Sequence, residues 1–413
     1  RAQTPSSHYS MTLLHAGLLT LALCVGAAGH AATAHKPTVH AKAKAGKAKA
    51  GKAKPKAASS HAGKAQAKAA PRKAPYKHVA RAVDYDGEQI NFGEWAAVNT
   101  FADEVALRHG FVRAELAGLI SQIRYIDSAV QLVKPAPPGK PKNWAGYREL
   151  TIEPIRIGAG VRFWNEHAAT LARAEREYGV PAEIIVGIIG VETVYGRDTG
   201  RFRVVDVLTT LAFAYPDTPN RVARMAFFRN ELENTLLLAR QNRVDPFSLL
   251  GSFAGAVGMP QFMPGSVLAY GVDFDGDGVV DLRNSPVDAI GSVANFLVQH
   301  GWQRQHAGPP IYSAQVSDSR AWEKFINQGL SARFTQAELF AAGVATGHTL
   351  PAHLLFGLVD LQNGADPTEY WLANDNFFAI TQYNRSYFYA MAVIELGRAV
   401  SLSRAPGGRL SLL

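Results

Sequence analysis

The sequence predicts a mainly α fold. Beyond Tyr85, apolar residues recur at helical spacing, with Gly or Pro between the periodic segments. No segment alternates strongly enough to read as a strand, and there is no internal repeat. One segment, PAEIIVGIIGVETVYGR from Pro181 to Arg197, is apolar on too many sides for a surface helix and belongs inside a core.

In chain order, residues 1–10 carry no structural signal. Met11 opens MTLLHAGLLTLALCVGAAGHAATA, whose apolar run from Leu13 to Ala28 is short for a membrane span. Small residues near Ala31 and Ala34 follow, of the kind a signal peptidase accepts. Residues 11–34 therefore read as a signal peptide, with His15 where Lys or Arg is usual, and the expected destination is the periplasm. Cys24 is the sole cysteine, so no intrachain disulfide or Cys cluster for zinc is available. A lipid anchor on it is not expected, because Leu23 stands where a small residue is needed.

Residues 35–80 form an Ala/Lys-rich basic linker. Lys36 to Lys77 holds twelve Lys, one Arg and no acid, which exceeds the whole net charge of +9. The rest of the chain is near neutral or slightly acidic, so the basic balance implies no basic catalytic surface. Gly46, Gly51, Pro55, Gly63 and Pro71 interrupt any helix, and no apolar face exists to bury. Three readings stand for this tail: a tether to an anionic envelope surface, a nucleic-acid-binding tail, or a solubilising spacer. In an exported protein no nucleic acid partner is expected.

Residues 81–405 have globular composition. Helices are expected over FGEWAAVNTFADEVALRHG, with Gly110 as its stop, over VRAELAGLISQIRYIDSAVQLV, and over GVRFWNEHAATLARAEREYG, ending at Gly179. PAPPGKPKNW (135–144) is a Pro-rich connection. The apolar helix begins with Pro181 at its first helical position and stops near Gly196. Two more helices, Val204 to Tyr215 and Arg221 to Asn242, flank PDTPN. GSFAGAVGMPQFMPGSV (251–267) is rich in Gly, Pro and Met without a period, which suits a binding wall. Helices follow from Val287 to His300 and over residues 381–400. Residues 305–350 have mixed character.

Glu192 is the one acid near the far end of the apolar helix. Burial and the negative end of the helix dipole both disfavour its charged form. A Glu kept protonated near neutral pH can serve as a general acid. The same residue could instead pair with Arg197 or Arg201, and this stretch alone leaves both readings open.

Asp273-Phe-Asp275-Gly-Asp277-Gly278-Val-Val-Asp281 has the spacing of an EF-hand loop. Asp273, Asp275 and Asp277 would face one centre, Gly278 would allow the sharp turn, and Val279 would offer its carbonyl. Asn284 occupies the place of the usual bidentate Glu, and Asp288 is the candidate replacement. Structural Ca2+ is the expected ion. A solvated Asp/Gly turn is the alternative.

Four segments, GVETVYGR, GSFAGAVGMPQFMPGSV, DFDGDG followed by PVDAIGSVANFLVQHGW, and ITQYNRSYFYAMAV, resemble the membrane-bound lytic murein transglycosylase B family in order and spacing. The similarity runs from about Phe92 to Val400. It implies a lysozyme-like catalytic core elaborated by an α-helical domain and a small domain carrying the EF-hand-like loop. It implies cleavage of the β-1,4 bond between MurNAc and GlcNAc in peptidoglycan glycan strands, with 1,6-anhydro-MurNAc as the product end. It implies one catalytic acid, at Glu192, no organic cofactor and a monomer. Most glycosidases need two carboxylates. Of the nearby acids, Asp198 and Asp206, the latter suits a helix cap. By resemblance, Ser252, Gln261 and Phe262 would line the cleft. Tyr383, Asn384 and Tyr389 would contact sugar from the C-terminal loop, and Tyr147 from the other side. Core packing is the competing reading for each. The family's Arg pair after YP is replaced by a longer segment in which only Arg224, with Arg221, can stand in. A hydrolytic muramidase and a non-catalytic wall-binding protein braced by calcium are the alternative functions.

Overall fold

The computed structural model describes residues 90–135, 139, 141–306 and 308–405. The expected signal and basic linker lie outside these residues. A single-turn helix at Phe92–Glu94 leads into α1 (Ala96–His109), which ends at Gly110 with φ 67°, as expected. The expected second helix is two pieces, α2 (Arg113–Ile120) and α3 (Asp127–Leu132). After α4 (Trp144–Thr151), the segment read as one helix also divides, into α5 (Pro154–Glu166) and α6 (Ala168–Tyr178), at the non-helical His167. In both cases the apolar period continues across a change of direction, which periodicity does not register.

Then come α7 (Ala182–Thr193), the two-residue β1 (Phe202–Arg203), α8 (Val204–Phe213), α9 (Arg221–Asn242) and β2 (Leu250–Gly251), which pairs antiparallel with β1. Pro181 caps α7 from outside, one residue earlier than expected, and the helix stops at Val194 with φ 50°, before Gly196. The chain continues through α10 (Pro264–Tyr270) and α11 (Pro286–Gln299). The region of mixed character holds β3 (Ile311–Val316), α12 (Gln336–Ala341) and β4 (Val344–Ala345). It is followed by β5 (Gly357–Asn363), β6 (Asp366–Ala373), α13 (Asp375–Thr381) and α14 (Tyr387–Arg404).

The strands are the main departure from the sequence expectation. β3 to β6 form a four-stranded antiparallel sheet in the order β4-β3-β6-β5. In β5 the residues from Gly357 to Val359 are buried in succession, so alternation begins only at Val359. The fold remains mainly helical. No helix among the described residues is long and apolar enough to cross a membrane.

Three apolar clusters organise the chain. The first joins α1–α3 to α8 and α9 through Phe101, Leu116, Leu208, Leu211 and Phe228. The second surrounds α7, whose Ile184, Ile185, Ile188 and Ile189 are buried, and includes α11, α13 and α14. The third fills the sheet domain around Leu339, Phe356, Leu358 and Leu372.

α7 and α14 approach closely because each presents glycine. A Cβ on Gly187 would overlap the Val393 carbonyl, and one on Gly397 would overlap the Glu183 carbonyl. Ala at position 397 therefore forces the two helices apart. We expect Gly397→Ala to lower unfolding stability by ~1–3 kcal/mol in urea titration. An unchanged midpoint and slope would refute this packing account.

Candidate active site

Glu192 sits in the last turn of α7, partly exposed while the residues on either side of it are buried. Desolvation is the largest influence on it and pushes its carboxyl up to about 7. The Tyr389 hydroxyl, from the first turn of α14, donates to Glu192 Oε1 at 2.6 Å and opposes that rise. The ion-pair reading fails. Arg197 is exposed and binds Asp198 at 3.0 Å, and no cation among the described residues pairs with Glu192. Asp206 is not a helix cap but lies inside α8, fully buried, with Arg203 bonding both its oxygens at 2.6 and 2.9 Å. Neither aspartate is a free second carboxylate.

Three tyrosines feel the Glu192 charge. Tyr389 and Tyr383 rings stack at 6.2 Å and 15°, and both hydroxyls are raised well above the usual phenol range, by burial first and Glu192 next. Tyr147 is pushed up to about 12 for the same two reasons, and its ring stacks on Trp144 at 6.2 Å. Tyr389 is almost fully buried. Its hydroxyl therefore serves the acid, where a sugar contact was expected. Tyr383 spends its hydroxyl on the Pro260 carbonyl at 2.5 Å, and its ring packs on Phe262, Phe296 and Tyr389. Asn384 Oδ1 is buried without a protein partner.

The loop between β2 and α10 packs against Tyr383 and the end of α7. Ser252 Oγ accepts from the Ala254 and Ala256 amides at 3.3 and 3.1 Å. Val257 and Phe262 exchange backbone bonds at 2.7 and 3.1 Å, closing a tight turn. Gln261 has φ 52°, and its Nε2 donates to Gly258 O at 2.9 Å and Thr199 O at 3.3 Å. Phe262 is 2% exposed and packs on Phe296 and Tyr383, so it is a core residue with no face for a sugar. Arg224 lies with the helical-domain cluster, its guanidinium over Phe228, Phe227 and Tyr215 at 5.0, 5.3 and 5.9 Å. The sequence reading missed Trp144 and Phe388, which pack against Tyr147. Their signal was present as aromatics beside GYREL and within SYFYA. It also missed Thr193, which carried no signal beyond its position next to Glu192.

In the Asp-rich loop, carboxylate oxygens of Asp273, Asp275 and Asp288 lie within 4.8 Å of one another. Hard oxygens so grouped fit a calcium ion. Asp273 accepts from the Gly276, Asp277 and Gly278 amides, and buried Asp288 from those of Phe274, Asp275 and Asp281. Asp277 and Asp281 lie outside this trio of carboxylates; Asp281 accepts from the Arg283 and Asn284 amides at 3.0 Å.

Residues 93–398 match the family described as the transglycosylase SLT domain. The chain belongs to this family. It is 42% identical over 313 residues to the membrane-bound lytic murein transglycosylase B of Escherichia coli (strain K12), covering 74% of this chain and 82% of that protein. The catenated lytic transglycosylase SltB1 from Pseudomonas aeruginosa is 44% identical with a TM-score of 0.70, covering 76% of this chain and all of that one. The Escherichia coli lytic transglycosylase Slt35 in complex with calcium is 40% identical with a TM-score of 0.68, covering 77% of this chain and 96% of that one. The transglycosylase thus shares the lysozyme-like fold of these enzymes.

The raised Glu192 carboxyl has a consequence for stability. Its folded pKa exceeds its ordinary value of 4.5. The stabilisation from holding that proton is complete below the unfolded value and is lost as pH rises through about 7. Glu192→Gln should therefore raise Tm relative to wild type by more at about pH 8 than at about pH 4. Equal shifts at both would contradict a raised carboxyl.

Proposed function

We propose that the enzyme cleaves the β-1,4 bond between MurNAc and GlcNAc in peptidoglycan, with Glu192 as its one catalytic carboxylate. The observation that carries this reading is a partly exposed carboxyl that accepts the Tyr389 hydroxyl and that desolvation pushes up to about 7, with both neighbouring aspartates committed to arginines. The Glu192 proton goes to the glycosidic oxygen as the bond from MurNAc C1 breaks. The substrate acetamido group stabilises the developing positive charge. The MurNAc 6-hydroxyl then bonds to C1 and returns its proton to Glu192, leaving a 1,6-anhydro end. No water is activated, so no second carboxylate is needed. Tyr389 fixes Oε1, which leaves the other carboxyl oxygen for the leaving group.

Tyr383 and Tyr147 supply ring faces for sugars, and Asn384, Ser252 and Gln261 supply polar contacts. The Asp-rich loop binds calcium through Asp273, Asp275 and Asp288, bracing the wall that follows the cleft loop. The signal at 11–34 takes the enzyme to the periplasm, where the basic linker meets anionic envelope surface. The enzyme acts as a monomer.

Digestion of purified sacculi followed by mass analysis should give anhydro-muramic ends with wild type and no release with Glu192→Gln. Reducing muramic ends would make the enzyme a hydrolase, and lysis by the Gln variant would remove Glu192 from the chemistry. The kcat profile should fall as pH rises through about 7, where Glu192 loses its proton. Calcium should raise Tm in wild type, and Asp273→Asn should abolish that rise; a calcium-independent Tm would sink the ion assignment.

A further inference from the structure

Directly behind Glu192 the backbone does something costly. Val194, Tyr195 and Gly196 all have positive φ, at 50°, 60° and 88°. A β-branched residue is a rare occupant of that region, and such strain persists only where the surroundings over-determine it. The Val194 and Tyr195 amides reach back to Gly190 O and Ile189 O, at 3.1 and 3.3 Å. The Tyr195 ring fits where Gly160 and Gly190 leave room, but its hydroxyl has no partner and so holds nothing by polar contact.

The side chain that closes the turn is fully buried Thr193. Its Oγ1 accepts from the Gly196 amide at 3.0 Å and donates to Met259 O at 2.8 Å, with Ile189 O more distant at 3.4 Å. Met259 N in turn donates to Leu282 O at 2.8 Å, at the end of the Asp-rich loop. The next residue, Pro260, receives the Tyr383 hydroxyl. One hydroxyl thus joins the end of the acid's helix to the loop between β2 and α10.

We propose that Thr193 is a positioning residue for Glu192: its hydroxyl locks the strained turn to the cleft loop and so sets where the carboxyl points. This rests on the reading of Glu192 as the acid and base. Loss of the hydroxyl lets the end of α7 shift against the loop. The carboxyl then misses the glycosidic oxygen while the sugar-contacting rings stay in place, so kcat suffers and KM does not. Tyr389, Tyr383 and Tyr147, the titratable groups that face Glu192, are untouched by the change.

The test compares Thr193→Val, Thr193→Ala and Thr193→Ser with Glu192→Gln on soluble glycan strands across the pH range, alongside Tm. The Val and Ala variants are expected to lose roughly tenfold or more in kcat with KM little changed, and to displace the alkaline limb of the kcat profile. The Ser variant, which keeps the hydroxyl, is expected to recover most of wild-type kcat and the wild-type profile. A folded Val or Ala variant with wild-type kcat and profile overturns the proposal, as does a Ser variant as impaired as they are. Activity in Glu192→Gln would instead sink the reading of Glu192 itself, whatever the Thr193 variants do.

Discussion

Everything in this site follows from one constraint: a carboxyl must stay protonated near neutral pH while still touching solvent-borne substrate. Desolvation is what raises it, and desolvation here comes from the apolar helix that carries it. Ile184, Ile185, Ile188 and Ile189 fix α7 in the core, so its last turn has no freedom to carry Glu192 out into water. The glycine approach to α14 then brings Tyr389 within bonding distance. A cation at that place would have reversed the effect and made the residue a permanent anion. Arg197 is instead occupied by Asp198 at the surface.

The walls of the cleft show how a loop rich in glycine and proline can be rigid. Its backbone bonds are largely internal or directed to fixed neighbours. Ser252 takes two amides, Val257 and Phe262 take each other, and Gln261 folds back on Gly258. Phe262 anchors the loop in the core against Phe296. The loop therefore presents a fixed surface without belonging to any long strand or helix.

Much of this was legible in the sequence, and the failures have identifiable causes. The helical class and α9 followed from apolar spacing, whereas the helix expected over 381–400 begins only at Tyr387, after a non-helical 382–386; Gly110 and Gly179 do end helices with φ 67° and 72°. The breaks at Ser121 and His167 were invisible because no Gly or Pro marks them. The sheet was missed because β5 opens with three buried residues in succession and β4 has two residues. Glu192 stood out because an acid in an all-apolar helix needs explaining. Its relation to Tyr389 did not, because 197 residues separate them and only the packing of α7 on α14 brings them together. Phe262 was misassigned because an aromatic in a cleft loop can point either way, and nothing local says which.

The Asp-rich loop makes sense as a buttress for that same wall. Its acids are already occupied by its own amides, so the turn has its shape before any ion arrives. Asp288 in particular spends both oxygens on three amides, which makes it a brace for the loop. Beyond the acids, Arg283 donates to the Leu250 and Gly200 carbonyls at 3.1 and 3.2 Å, and Leu282 O receives Met259. These bonds grip β2 and the cleft loop from outside. Restraining the loop therefore restrains the cleft loop as well, through the Arg283 guanidinium and the Met259–Leu282 backbone bond. A loop of this kind needs no signalling role to be useful to the cleft; it needs only to keep two backbones at a fixed separation.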